Sequence, residues 1–230
     1  MINSVRSTVM AVANKNNFGY ITPEDFNLYA KQAQLDLFED YIFKYNLWVT
    51  KQNARTSNSG YADIVKKLDL IIDKFSTIAN LAHTTNSDFT MPADYYYLNT
   101  VRYNNKEVGK VSGEKVLYLL QSNLTAPNIY NPAYVLNGQT ITVYPTTITS
   151  GVSSQYLRLP KDPKWTYVNI VAGEPVFDQS NGDYQDFELP LQDEPSLVNK
   201  ILEYAGMSIR EPEVVNLGAG LEAKEQQTEG

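Results

Sequence analysis

Tyr61-Ala62-Asp63-Ile64-Val65-Lys66-Lys67-Leu68-Asp69-Leu70-Ile71-Ile72-Asp73-Lys74-Phe75-Ser76-Thr77-Ile78 places Tyr61, Ile64, Leu68, Ile71, Phe75 and Ile78 at alternating steps of three and four. That spacing gathers all six on one side of a 3.6-residue helix and predicts about five turns packed on other helices. Ser59 is placed to cap it, and the aperiodic polar stretch 51–60 reads as a loop. Upstream, Thr22, Pro23, Glu24 and Asp25 form a helix start: a hydroxyl cap, a ring with preset φ, and carboxylates on the positive pole of the dipole. This second helix is expected to run to about Trp48. Phe26, Ala30, Ala33, Leu37 and Tyr41 form one apolar stripe on it, and Leu28, Leu35, Phe38, Ile42 and Tyr45 a second, so two sets of neighbours are expected. Ahead of it, Ser4 can cap a short helix with Val5, Val9 and Val12 on one face, broken at Asn14 to Gly19. The first third of the chain thus reads as a helical bundle.

Downstream of Asp88 the texture changes to Pro, Gly, Asn and Tyr between alternating strands. Strands are predicted at 95–103, 133–136, 139–144, 152–159, 165–171 and 174–178. Asn137-Gly138 marks a tight hairpin and Ala172-Gly173 joins the last two strands. A short helix at 113–123 follows a Ser112 cap. Asp193 can cap another helix with Leu197, Ile201, Leu202 and Tyr204 inward and Gly206 as its stop. A last helix is expected from Glu211-Pro212, carrying Val214, Val215, Leu217 and Leu221, followed by a polar end. The predicted class is α+β: a helical bundle of N-terminal and C-terminal helices with an inserted β-rich module. The expected parts are 1–86, 87–190 and 191–230, the last including an assembly arm.

Composition narrows the function. The 230 residues are 43% hydrophobic and 20% charged, a globular balance, but the apolar area leans on 17 Tyr against 8 Phe and 2 Trp. Rings with a polar tip suit surfaces covered by a partner. A net charge of −7 without clustered Lys or Arg argues against gripping nucleic acid by phosphate neutralisation, although an acidic wall can let DNA slide past. With no cysteine, disulfides and thiolate metal sites are excluded. The N-terminus lacks an apolar core of signal-peptide length and the longest apolar run, Val116 to Leu120, is far too short to span a bilayer, so neither export nor membrane insertion is expected.

No residue set reads as an enzyme site, and no cofactor or metal is expected. His83 is the one histidine, in Ala82-His83-Thr84-Thr85, and is expected at the end of a helix, where an imidazole complements the dipole. Asp178-Gln179-Ser180-Asn181-Gly182-Asp183 alternates oxygen ligands as a calcium loop does, but its glycine comes one place early and no bidentate Glu follows, so it reads as a turn. Gly109-Lys110-Val111-Ser112-Gly113-Glu114-Lys115 has its glycines too close for a phosphate loop, with Val116 where a magnesium-binding hydroxyl belongs. Tyr95-Tyr96-Tyr97 is either a stacking platform or a half-buried strand.

Asp88-Phe89-Thr90-Met91-Pro92-Ala93-Asp94-Tyr95-Tyr96 resembles the Leu-Pro-x-Asp-Tyr lead into the strand region of head-to-tail adaptor and tail-hub proteins of podovirus-like phages, with Met91 in place of the usual Leu. Tyr156-Leu157-Arg158-Leu159-Pro160-Lys161-Asp162-Pro163-Lys164-Trp165, then Phe187-Glu188-Leu189-Pro190 leading to Leu197-Val198-Asn199-Lys200-Ile201-Leu202, is similar to their closing half. Residues 201–214 are similar to virion ring proteins of crAss-like phages. The resemblance implies a structural virion protein: a ring of about a dozen copies in the head-to-tail connector, touching the portal and neighbouring tail proteins, with DNA passing through unheld and no membrane involved. On that reading Val214, Val215, Leu217, Leu221, Arg158 and Trp165 are the interface candidates. A carbohydrate-binding module using the Tyr-rich strands and Trp165, or another tail-associated binding module, is the alternative.

Overall fold

The computed structural model describes residues 1–13, 21–54, 62–169 and 175–209. In chain order its elements are α1 (Ile2–Ala13), α2 (Pro23–Ala54), α3 (Ala62–Phe75), β1 (Ser76–Asn80), β2 (Ala82–His83), β3 (Asp88–Thr90), β4 (Tyr95–Tyr103), β5 (Lys106–Glu107), β6 (Gly109–Lys110) and α4 (Gly113–Gln121). There follow β7 (Ala133–Asn137), β8 (Thr140–Tyr144), β9 (Val152–Arg158), β10 (Tyr167–Asn169), β11 (Pro175–Phe177) and, after a 3-10 turn at Leu191–Asp193, α5 (Glu194–Ile209). The protein is α+β, as its sequence pattern predicts. It divides into two compact units, Met1–Ile71 with Pro160–Gly230, and Ile72–Leu159.

The first unit is helical. α5 packs against both α1 and α2, burying Leu197, Ile201 and Leu202 against a supply of Ile2, Val5 and Val9 from α1 and Phe26, Ala30 and Phe38 from α2. Thr22 caps α2 as its sequence implies: its Oγ accepts from the Asp25 N–H at 3.1 Å while its hydroxyl donates to the Asp25 carboxylate. Three expectations change here. α1 begins at Ile2, so Ser4 lies inside it; Asp186 takes the capping role, accepting from the Ile2 N–H at 2.7 Å and the Met1 amino group at 3.1 Å. α2 continues past Trp48 to Ala54. Gly206 does not end α5, which runs to Ile209; its buried position outweighs a weak helix propensity.

Residues 160–190, expected with the strand module, belong to this helical unit. The reason lies in two amides of α2. Gln34, 1% exposed, donates to the Lys161 carbonyl and accepts from the Glu188 N–H, both at 2.8 Å. Asn27 brackets Trp165, accepting from its N–H at 2.8 Å and donating to its carbonyl at 3.2 Å. Backbone without a ladder partner is thereby satisfied on a helix, which ties the segment down.

The second unit is strand-rich and continuous in sequence. One sheet has the order β1-β9-β4-β5, the other β2-β3-β8-β7-β6 with only β6–β7 parallel. Alternation on β9 and β8 turns Val152, Tyr156, Ile141 and Val143 inward, where they meet Phe89, Leu98 and Val101 in one core shared by both sheets. The β7–β8 hairpin forms where Asn137-Gly138 predicts one, with Gly138 at φ +60 in the first central position and Asn137 paired to Thr140. The regular stripe breaks at its end. α3 stops at Phe75, and Ile78 lies exposed in β1, because 76–80 pair antiparallel with β9 instead of making a further helical turn. Residues 72–86, expected with the helices, therefore fold with the strands.

Candidate assembly surfaces

The chemical candidates resolve into structure. His83 sits in β2 opposite Phe89, not at a helix end, with the two rings edge-on at 5.5 Å. Residues 178–183 form a turn closed by their own side chains, Asp178 accepting from the Ser180 N–H at 2.8 Å and Asn181 from the Asp183 N–H at 3.1 Å. Lys164 donates to Asp183 at 2.7 Å and holds that carboxyl below its ordinary value. Gly109 and Lys110 are a strand, and Ser112 caps α4. Among the described residues no group of three or more His, Cys, Asp or Glu could hold a metal ion. A shallow cleft of about 560 Å³ beside Thr8, Leu191, Glu194 and Val198 offers a single carboxylate.

The shifted phenols are equally structural. Burial, then the hydrogen bond to Asp94 at 3.0 Å, pushes Tyr156 up to about 12. Burial and the Asp36 carboxylate raise Tyr204. Asp94 also accepts the Leu159 N–H on its carbonyl at 2.8 Å, so a residue of the Met-Pro-Ala-Asp-Tyr stretch closes β4 against the end of β9.

Of the six interface candidates, Trp165 is 2% exposed and lies in the core of its unit. Tyr167 and Phe177 stack against it at 5.6 and 5.9 Å, the Arg6 guanidinium covers the ring at 3.8 Å, and its Nε1–H donates to Asn3 at 3.1 Å. A ring enclosed on these sides presents nothing to a partner. Arg158 is half-buried, donating to the Leu159 carbonyl with its guanidinium 5.7 Å from the Phe75 ring. Val214, Val215, Leu217 and Leu221 lie outside the described residues.

Two apolar surfaces outside these six residues are exposed instead. In the strand-rich unit, α4 buries Val116 alone and turns Leu117, Tyr118 and Leu120 outward. The turn after it adds Leu124, 94% exposed, with Ile129 and Tyr130. This turn has a defined shape: the Asn128 carboxamide oxygen accepts from the Tyr130 and Asn131 N–H groups, each at 2.9 Å. In the helical unit, α2 loses its cover halfway. Beyond Phe38 none of Tyr41, Ile42, Phe43, Tyr45, Leu47 and Trp48 is buried, and Phe43 is 64% exposed. Large apolar side chains exposed in neighbouring positions of one element are where an interaction site is sought. The signal for both was in the sequence: Val116–Leu120 is the longest apolar run, and the two stripes of α2 leave little polar face.

Tyr97 is 61% exposed and Tyr96 also faces out, since a register shift between Tyr95 and Tyr97 interrupts the alternation of β4. No helix among the described residues is long and apolar enough to cross a membrane. No protein-family model and no curated protein matches the chain.

Proposed function

We propose that this chain is a structural, non-catalytic subunit that assembles in many copies, and that its place is a ring of the head-to-tail connector of a tailed phage, beside the portal and neighbouring tail proteins, with DNA passing through unheld. One observation carries the assembly part: each unit exposes large apolar side chains, Phe43 and Leu47 on α2 and Leu117, Tyr118 and Leu124 on and after α4, while the ionisable side chains that are perturbed serve to hold the fold. The phage part rests on the sequence resemblance alone. Mass spectrometry of purified virions, with quantitation against the major capsid protein, tests it. Many copies per particle are expected; absence from particles overturns it.

The charge supports a conduit over a grip. Ile72–Leu159 carries six Lys and Arg against five Asp and Glu, while the rest of the chain carries thirteen against twenty-one. Neither set forms the basic stripe that phosphate binding requires. The chain is expected to flow through a duplex-DNA column at ~0.15 M salt; retention there would count against the conduit. The carbohydrate-binding alternative loses Trp165 to the core and, on the described strands, keeps Tyr96 and Tyr97 as exposed platforms.

A further inference from the structure

We infer that copies of this chain associate head to tail, the second half of α2 in one copy seating on α4 and its following turn in the next. The inference rests on the reading of the chain as an assembly subunit and names its first partner, a second copy. Each half of the contact has an aromatic and aliphatic centre, Phe43, Leu47 and Trp48 on one side, Leu117, Tyr118 and Leu124 on the other, which is the composition of an interface core.

Charge selects the pairing. Residues 36–50 contain Asp36, Glu39 and Asp40 against one Lys, Lys44, which is paired to Asp40 at 3.2 Å within its own helix. Residues 106–115 contain Lys106, Lys110 and Lys115 against Glu107 and Glu114, and the Lys106 ammonium lies 6.0 Å from the Tyr130 ring at the edge of the apolar patch. The first segment carries a net charge of −2 and the second +1, so packing like on like sets net like charge around each interface. Packing unlike surfaces sets opposite charges at both rims. A contact between different surfaces leaves every dimer with one of each still open, so growth continues until a ring closes or a filament runs on.

Two double variants test this in the full-length protein: F43E with L47E on α2, and L117E with L124E beside β7. All four positions are exposed, so the fold is expected to survive, as far-UV circular dichroism will verify; should Glu disturb a helix, Ser at the same positions gives the same readout. By light scattering after size exclusion, the parent chain is expected to form species larger than a dimer and each double variant to remain monomeric. An equimolar mixture of the two variants should then give a heterodimer that grows no further, since it retains one intact pair of surfaces. Dimers of either variant alone would mean like-on-like pairing and overturn the inference, as would a parent chain that stays monomeric or variants that assemble normally. Head-to-tail association by a protein absent from virions would remove the connector reading alone; a monomer abundant in virions would remove this contact alone.

Discussion

The strand-rich unit closes a core from one unbroken stretch of chain, whereas the helical unit must join two stretches that lie far apart in sequence. In the first, β7–β8 and β4–β5 are local hairpins, and the longest pairings, β1 and β4 with β9, stay within the same 88-residue segment, Ile72–Leu159. In the second, α1 and α2 meet α5 only after the chain returns, and the junctions are made by polar side chains reaching over more than a hundred residues: Asn27 to Trp165, Gln34 to Lys161 and Glu188, Asp186 to Ile2. A strand pair specifies its partner through a repeating ladder, and a helix pair through shape alone. The Asn27 and Gln34 amides give the helical unit a register that apolar packing would leave loose.

If that contrast is right, Trp165→Ala should be the most damaging change, costing ~3–5 kcal/mol by removing a fully buried ring. Hydrogen exchange should speed up in α1, α2 and α5 while β4 and β9 keep their protection; equal loss in both units would mean that they do not behave separately. Gln34→Ala comes next. It strands a carbonyl and an N–H that have no ladder, at about 2–4 kcal/mol, and the same exchange experiment should localise the effect to 160–190 and α2.

The remaining changes probe the strand-rich core. Tyr156→Phe should cost ~1 kcal/mol at neutral pH through the lost bond to Asp94. Its pH dependence has a definite sign. Because folding raises the phenol from 10.0 to about 12, its contribution is complete below pH 10 and is lost as pH climbs through the folded value. Chemical denaturation of the parent between pH 10 and 12 should therefore fall toward that of the Phe variant, and a constant gap across that range would refute the linkage. Ser154→Ala is the smallest and has the opposite sign. The Ser154 hydroxyl is buried without a hydrogen-bond partner, so its removal should raise stability by up to ~1 kcal/mol, read as a higher midpoint in urea.

Local signals in the sequence located most elements of this fold. Thr22 and Ser112 cap the helices assigned to them, the strand at 95–103 has its predicted limits, and Gly138 makes its hairpin. What escaped depended on distant partners. Nothing near Ile78 says that 76–80 will pair with β9, and nothing near Asp186 says that it will cap α1. A further local signal lies in Asn104-Asn105, which at φ 47 and 64 supplies the two left-handed residues that a tight β4–β5 turn requires. For the candidate site the lesson is about aromatic residues. Trp165 looked like an anchor for a partner because of its type, and only the positions of Arg6, Tyr167 and Phe177 reveal that its partners are internal. The exposed run in α4 was legible as apolar, but the sequence could not tell which side of a nine-residue helix would meet β7.

Ser76 and Leu157 face each other in one antiparallel ladder, so the chain leaves the helices and comes back to them across a single interstrand spacing. A segment whose two ends meet in this way can be lengthened, exchanged or lost without prising apart the host that carries it. The strand-rich unit is in that sense a cassette. Exchange of that cassette at the Phe75–Ser76 junction and just beyond Arg158 is expected to leave α1, α2, α3 and α5 whole while the surface around α4 changes.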